Sequence, residues 1–180
     1  MSFSKTAWEV FNQSIAQYHI NDDVDHLVKN PFKDDSLERI LYEKNWIDSV
    51  QWHLEDIIRE EDIDPDAALK LKRRIDASNQ QRTDLVEYID AWFFKKYENI
   101  SSKADSKINT ETIAWSVDRL SILALKVYHM QKEAERTSAS EELRQKCTDK
   151  LNVFFEQQND LTKEIYKLLF DIENVNLKIK

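Results

Sequence analysis

The residues of this chain most able to do chemistry are charged side chains that fall within otherwise apolar helical patterns. Arg82 lies inside a stripe of apolar residues that recur every three to four positions, and Asp118 lies in a segment that is apolar on most sides. An unpaired guanidinium is costly in a low-dielectric interior, and buried carboxylates are rare unless they are paired. We therefore predict that Arg82 is mostly buried and forms an ion pair with Glu87 or Asp118.

Further polar residues reach the same level if neighbouring segments form antiparallel helical hairpins. Counting along the segments places five polar residues, with Arg82 and Asp118 among them, within about two helical turns of one another. They are Asn45, Arg82, Glu87, Asp118 and Gln158. Carboxylates on facing helices are how bundles hold divalent metals, so this polar layer is a candidate site for a divalent metal or a small anionic ligand. A polar layer can also serve only to fix helix register and partner choice, and the sequence leaves both interpretations open.

Trp52 and His129 are the aromatic candidates for the same region. Trp52 stands in the middle of a polar stripe, where a large aromatic side chain is expected to cover another helix, a second subunit or a ligand. His129 shares a helix line with Asp118. A lone histidine on a buried helix is more often hydrogen-bonded within the protein than used as a ligand, and both roles stay open for His129.

Five helices are needed to position these residues. Apolar residues recurring every three to four positions, with capping signals at the helix starts, define them. They run from about Ser4 to Tyr18, from Asp35 or Ser36 to near Glu61, from Pro65 to about Asn99, from Asn109 or Thr110 through Met130, and from Ser138 to about Val175. We predict an all-α fold, an antiparallel bundle of about five helices, several of them long. Residues 1–180 form one domain, with an N-terminal helix and loop (1–35) and a bundle core (36–175). Gln158 is the one polar member of an apolar seam along the fifth helix.

The composition excludes several kinds of site and partner. The chain contains no glycine, which rules out the P-loop, the G-x-G-x-x-G dinucleotide turn and the G-x-S-x-G nucleophile elbow. The net charge of −8 argues against general nucleic-acid binding, because phosphate neutralisation needs a surplus of Lys and Arg. Cys147 is the single cysteine, so no intramolecular disulfide or cysteine-based zinc site is expected. Without a signal-peptide pattern or a membrane-spanning run, the expected location is the cytoplasm.

Three stretches of the chain resemble a bacterial family catalogued as domain of unknown function 4254. They are NWIDSVQWHLEDIIR (residues 45–59), LKRRIDASNQQRTDLVEYID (71–90) and NTETIAWSVDRLSILALKVYHM (109–130). The resemblance covers roughly Leu37 to Ile172 and implies a helical fold without implying a reaction. It places the characteristic polar positions of the family on Asn45, Trp52, Glu55, Asp56, Arg59, Arg82, Asp84, Glu87, Asp118, Arg119 and His129.

Three functions compete on these observations. The first is a ligand-binding or enzymatic bundle that uses the polar layer. The second is a structural or interaction protein, with a homodimer as one form it could take. A contact between subunits that covers Trp46 and Trp52 would favour it, whereas Trp52 roofing an open cleft would favour the first. The third, less well supported, is an all-α nucleotide pyrophosphohydrolase, with Glu87 and Asp90 as one of its two acidic pairs. Its obvious second pair, Glu55 and Asp56, lies roughly 27 Å away along the hairpin.

Overall fold

A computed structural model describes residues 2–101 and 103–179 and contains five α-helices within them. They are α1 (Phe3–Tyr18), α2 (Leu37–Ile57), α3 (Pro65–Lys96), α4 (Ile113–Glu135) and α5 (Glu141–Glu173). The most extensive packing is between α4 and α5, α2 and α3, and α1 and α2. The predicted all-α class is confirmed. None of the described helices combines the length and the apolar character that a membrane crossing requires.

The start of α2 and both ends of α3 lie close to the predicted positions. The Ser36 hydroxyl caps α2 by accepting a hydrogen bond from Arg39 N at 3.2 Å. Asp64 caps α3 in the same way, and Pro65 occupies the first turn, where the missing N–H costs nothing. The α2 helix ends at Ile57, four residues before the predicted end at Glu61, because the chain turns there instead.

Two predicted helix caps were wrong by two or more residues. The cap of α4 is Thr112, not Asn109 or Thr110. Asp90 on α3 explains the difference, since its carboxylate accepts hydrogen bonds from Thr112 Oγ1 (2.6 Å) and Ala114 N (3.1 Å). This contact between helices fixes the start of α4 and has no local sequence signature. The cap of α5 is Ser140 rather than Ser138, with Ser140 Oγ 3.2 Å from Leu143 N.

The helix α4 occupies the middle of the protein. It packs against each of the other four helices, as its apolar residues on most sides predict. Its interior residues Val117, Leu120, Ala124 and Leu125 are fully buried. The α1 helix joins the same core, where its buried side chains pack with those of α2 and α4. The site-bearing helices are therefore held against a shared apolar core rather than against separate ones.

The apolar seam of α5 is buried only in its second half. Ile165 and Ile172 lie in the core, whereas Phe154 is half-buried and Leu143 is exposed. The helix packs mainly on α4, with a smaller contact to α1. The first half of the seam is therefore covered from one side only.

Candidate functional site

A buried network of two cations and two anions joins α2, α3 and α4. Its members are Lys44 and Asp48 on α2, Arg82 on α3 and Asp118 on α4. Lys44 Nζ lies 2.5 Å from Asp48 Oδ2 and 2.7 Å from Asp118 Oδ1, and its side chain is 0 % exposed. A fully buried ammonium is tolerated because it contacts a carboxylate on each of two helices.

Arg82 completes the network from the side of α3. Its Nη2 donates to both oxygens of Asp118, at 2.8 Å and 3.0 Å, and Nε donates to Oδ1 at 3.1 Å. Nε also lies 3.2 Å from Asp48 Oδ1. The predicted pairing of Arg82 with Asp118 is confirmed, and 27 % of the Arg82 side chain remains exposed. The other predicted partner, Glu87, is exposed and takes no part in this network.

Neutral polar groups extend the network along α2 and α4. Ser121 Oγ donates to Asp48 Oδ2 at 2.6 Å, and Asn45 Nδ2 donates to Ser121 Oγ at 2.9 Å. Ser49 Oγ in turn donates to the backbone oxygen of Asn45 at 3.0 Å. The predicted polar layer therefore exists around Asn45, Arg82 and Asp118. Gln158 was predicted to belong to it but lies half-buried on α5 without a hydrogen bond to these residues.

The two aspartates differ in how readily they take up a proton. Burial opposes ionisation of Asp118, but Lys44 and Arg82 more than compensate and hold the pKa of Asp118 below its ordinary value. Complete burial raises the pKa of Asp48, despite the opposing effects of Lys44 and Ser121. With both carboxylates ionised the network is electrically neutral. A proton added to it goes to Asp48 first.

A cavity of about 190 Å³ opens beside this network, between α2, α3 and α4. Its lining residues are Asp48, Gln51, Trp52, Glu55, Asp56, Arg59, Arg82 and Ile122. Two buried acceptors on this wall, Asp48 Oδ1 and Gln51 Oε1, accept no hydrogen bond from the described residues, although Asp48 Oδ1 keeps its 3.2 Å ion-pair contact with Arg82 Nε. Arg59 is exposed at the rim, where it contacts Asp56 at 3.1 Å and Glu55 at 3.7 Å. Trp52 therefore borders a cleft within one chain, as the ligand-binding interpretation requires.

An aromatic and histidine cluster lies behind Trp52. The Trp52 ring stacks on His129 with centroids 4.7 Å apart, and His129 approaches His19 (5.2 Å) and His53 (6.3 Å). Burial and the two neighbouring histidines lower the pKa of His129 to about 4, so its ring is neutral at pH 7. His129 Nε2 is buried, and no described residue forms a hydrogen bond with it. This arrangement does not match the ordinary role of a histidine satisfied by hydrogen bonds.

The other predicted site residues do not line the cavity beside Trp52. Asp84 accepts a hydrogen bond from Gln80 and borders a different cavity with Trp46. Arg119 is exposed, pairs with Glu111 and lines a wider groove between α3, α4 and α5, which Arg82 and Asp118 also line. The acidic pair of the pyrophosphohydrolase interpretation also separates, because Asp90 caps α4 while Glu87 faces solvent. These residues do not form one site.

Sequence reasoning missed Lys44, Asp48 and Ser121, the residues that connect the network. Val50 and Ile57 belong to the apolar residues of α2 that recur every three to four positions, yet the structure buries Asn45, Asp48 and Ser49 and leaves Ile57 exposed. Lys44 and Asp48 are spaced i, i+4, a pattern that normally indicates a surface ion pair. The one sequence signal for these residues was Asp118, because a carboxylate on a mostly apolar helix needs a partner, and that partner had to come from another helix.

The tryptophans discriminate between the first two interpretations. Trp46 is only 4 % exposed and packs within the chain against Tyr18 and Tyr42, so it does not present an interface. Of the five tryptophans, all within the described residues, Trp115 alone is exposed. These positions favour the cleft over a contact built on Trp46 and Trp52.

Comparison with known proteins identifies a family for the chain but finds no characterised relative. No curated protein and no solved structure matches the chain. The family model described as "Protein of unknown function (DUF4254)" matches residues 38–180, which include the ion network and the cavity but not α1. The chain belongs to this family.

Proposed function

We propose that the protein binds a small molecule in the cavity beside the ion network, through hydrogen bonds that the ligand donates to Asp48 and Gln51. The observation that carries this proposal is a pair of buried acceptors on one cavity wall: Gln51 Oε1 has no hydrogen-bond partner among the described residues, and Asp48 Oδ1 has only the 3.2 Å ion-pair contact with Arg82 Nε. Buried polar atoms are nearly always hydrogen-bonded, so each such exception asks for a partner. A cavity of about 190 Å³ accommodates more than a single water molecule.

The lining favours a cationic ligand over the anion that the sequence suggested. Three acids (Asp48, Glu55 and Asp56) face two arginines in the wall, and both arginines already contact carboxylates. An anion would have to compete with Asp118 for Arg82. A protonated amine, amidine or guanidine would instead donate hydrogen bonds to Asp48 Oδ1 and Gln51 Oε1 and balance the acidic charge. Trp52 adds an aromatic wall of the kind that attracts organic cations.

We expect small amines and guanidines to stabilise the protein against heat more than phosphorylated compounds do. A ligand at 100 times its dissociation constant adds about 2.7 kcal/mol to the free energy of unfolding. For a domain of this size that corresponds to a rise in the melting temperature of roughly 5–10 °C. The measurement is the melting temperature with agmatine, spermidine, AMP and glucose 6-phosphate as probes.

Two variants determine whether such a shift comes from this cavity. Gln51→Leu removes the unpartnered oxygen and should abolish the shift. Asn79→Ala removes the 2.8 Å hydrogen bond between Gln51 Nε2 and Asn79 but leaves the lining intact, so it should retain the shift. A shift produced only by the phosphorylated probes would support the anion of the sequence-based expectation instead. The absence of any shift would favour a network that only fixes helix register.

A stripe of exposed aromatic residues on α5 supports self-association as a second candidate function. Phe155, Tyr166 and Phe170 are all exposed and fall within about 60° on the helix surface. The Tyr166 and Phe170 rings stack with centroids 6.4 Å apart. Exposed aromatic groups of this kind are enriched at protein interfaces. The occupant we favour is a second copy of the chain, because a closed pair would cover both stripes at once.

We expect sedimentation velocity to show a dimer that the α5 stripe holds together. The double variant Tyr166→Glu with Phe170→Glu should sediment as a monomer, because it places two charges in the contact. Tyr88→Glu, an equally drastic change at an exposed position on α3, should leave the dimer intact. A monomeric wild-type protein at about 100 µM would exclude this candidate.

A further inference from the structure

Three of the four histidines gather at one end of the bundle, where α1, α2 and α4 meet. His19 follows the last residue of α1, His53 lies on α2 and His129 lies on α4. Asp22, in the loop after α1, lies with its Oδ1 2.5 Å from His19 Nδ1. One nitrogen from each of His19 and His53 and one Asp22 oxygen all lie within 4.8 Å of one another. Two good metal ligands from the segment that follows α1 thus converge with a third from α2.

The spacing is close to what a single metal ion needs. Zinc binds imidazole nitrogens and carboxylate oxygens at about 2.0–2.2 Å, which places neighbouring ligand atoms roughly 3.3 Å apart in a tetrahedral site. Closing the gap from 4.8 Å takes a side-chain adjustment on the order of 1 Å, less than one rotamer change. Asp22 is exposed and belongs to a loop, so it is free to make this adjustment.

Second contacts orient the two histidines as they do in metal sites. Tyr18 Oη lies 2.9 Å from His53 Nδ1, which leaves Nε2 of His53 available to a metal. Metal-bound histidines commonly hydrogen-bond through the other ring nitrogen, and this contact fixes the ring. The His19 ring is stacked on Tyr128 with centroids 4.3 Å apart, and its side chain is only 7 % exposed. Both imidazoles are therefore held in place before any ion arrives.

Unpartnered ring nitrogens are the independent sign that something else binds here. His19 Nε2 and His129 Nε2 are both buried and find no hydrogen-bond partner within residues 2–101 and 103–179. A purely structural histidine is expected to use its nitrogens in hydrogen bonds. An open cavity of about 480 Å³ beside the cluster, lined by Asp22, His53 and Asp56 among others, gives an ion a path to it. The acids of this entrance attract cations.

The backbone supports the role of Asp22. It adopts a left-handed conformation with φ of 51°, which non-glycine residues other than Asp and Asn rarely accept. This conformation brings the carboxylate back towards His19, one helical turn earlier in the chain. Asparagine at this position would keep the backbone and remove the charge, which provides a clean test.

The geometry points to a binding site for one divalent transition-metal ion, of the zinc type, held by His19, Asp22 and His53. Two imidazoles and one carboxylate suit Zn²⁺ and similar borderline ions better than Mg²⁺ or Ca²⁺, which prefer oxygen ligands. Three protein ligands leave a coordination position open. The site shares no ligand with the proposed small-molecule cavity and stands independently of it. His19 and Asp22 precede the family match, so the site is a feature of this chain rather than of the matched region.

Calorimetric titration of the EDTA-treated and dialysed protein with ZnCl₂ tests the proposal. We expect about one ion per chain with a dissociation constant on the order of 1 µM or below. Zinc at 100 times that constant should raise the melting temperature by roughly 5–10 °C. His53→Gln should weaken binding by at least about 100-fold, and Asp22→Asn by at least about 10-fold.

The fourth histidine provides the matched control. His26 lies outside the cluster, with its ring 6.2 Å from Trp46, so His26→Gln should bind zinc as the wild type does. Circular dichroism of each variant without metal checks that it is folded. Should His53→Gln fail to fold, Asp22→Asn decides the matter alone, because it changes one exposed side chain. Zinc binding weaker than about 100 µM, or binding that survives both ligand substitutions, would overturn the proposal. An equal loss of zinc affinity in the His26→Gln variant would also overturn the proposal.

Discussion

Replacing Asp118 with asparagine is expected to lower the free energy of unfolding by about 3–5 kcal/mol at pH 7, the cost of breaking a buried ion pair. Asp118 contacts both cations of the network, at 2.7 Å from Lys44 and 2.8 Å from Arg82, and it is the carboxylate that holds Arg82 through both oxygens. Its removal leaves two positive charges around Asp48 alone. Arginine cannot lose its proton in a protein, so the guanidinium of Arg82 stays charged while its bidentate carboxylate partner is gone.

Arg82→Leu is expected to have a smaller effect and to lower the free energy of unfolding by roughly 1–2 kcal/mol. Part of the guanidinium is exposed, and Lys44 continues to contact Asp118 after the change. The remaining negative charge can also be neutralised by a proton on Asp48. Urea denaturation followed by circular dichroism measures both variants. The control is Asp160→Asn, an exposed aspartate on α5, which should change stability by less than about 0.5 kcal/mol. Equal costs for Asp118→Asn and Arg82→Leu would contradict this account.

The parts of the fold set by local rules could be predicted from the sequence. The periodicity of α3 and the Pro65 start gave its length to within a few residues, and the position of Arg82 in an apolar stripe required a carboxylate partner. The central place of α4 followed from its apolar residues on most sides. In each case the physical cause acts within one helix, through spacing, capping or burial.

The rest depended on contacts between helices that no local pattern encodes. The polar residues Lys44 and Asp48 are buried because α4 supplies Asp118 and Ser121 to satisfy them. Without knowledge of that partner helix, their spacing indicates a solvated face. The histidine cluster is similar, since a residue just after α1 and one in a loop meet His53 only through the packing of α1 on α2.

The second large effect expected is at Lys44, and it should depend on pH. Lys44→Met leaves Asp48 and Asp118 sharing Arg82, and a fully buried carboxylate then lacks its closest cation. We expect a loss of about 3–5 kcal/mol at pH 7. A stranded carboxylate can lose its charge by taking up a proton. Burial already raises the pKa of Asp48, and removal of Lys44 raises it further.

The direction of the pH dependence follows from proton uptake. A carboxyl whose folded pKa exceeds its unfolded value of about 3.9 binds more protons in the folded state, so its stabilising effect is full below the unfolded pKa and is lost as the pH rises through the folded pKa. The cost of Lys44→Met relative to the wild type should therefore shrink between pH 7 and pH 5. The double variant Lys44→Met with Asp48→Asn restores charge balance and should recover much of the loss at pH 7. Urea denaturation at both pH values measures these free energies of unfolding. The network would not be a coupled set of charges if the loss of stability in Lys44→Met did not change with pH and the double variant were no more stable than Lys44→Met.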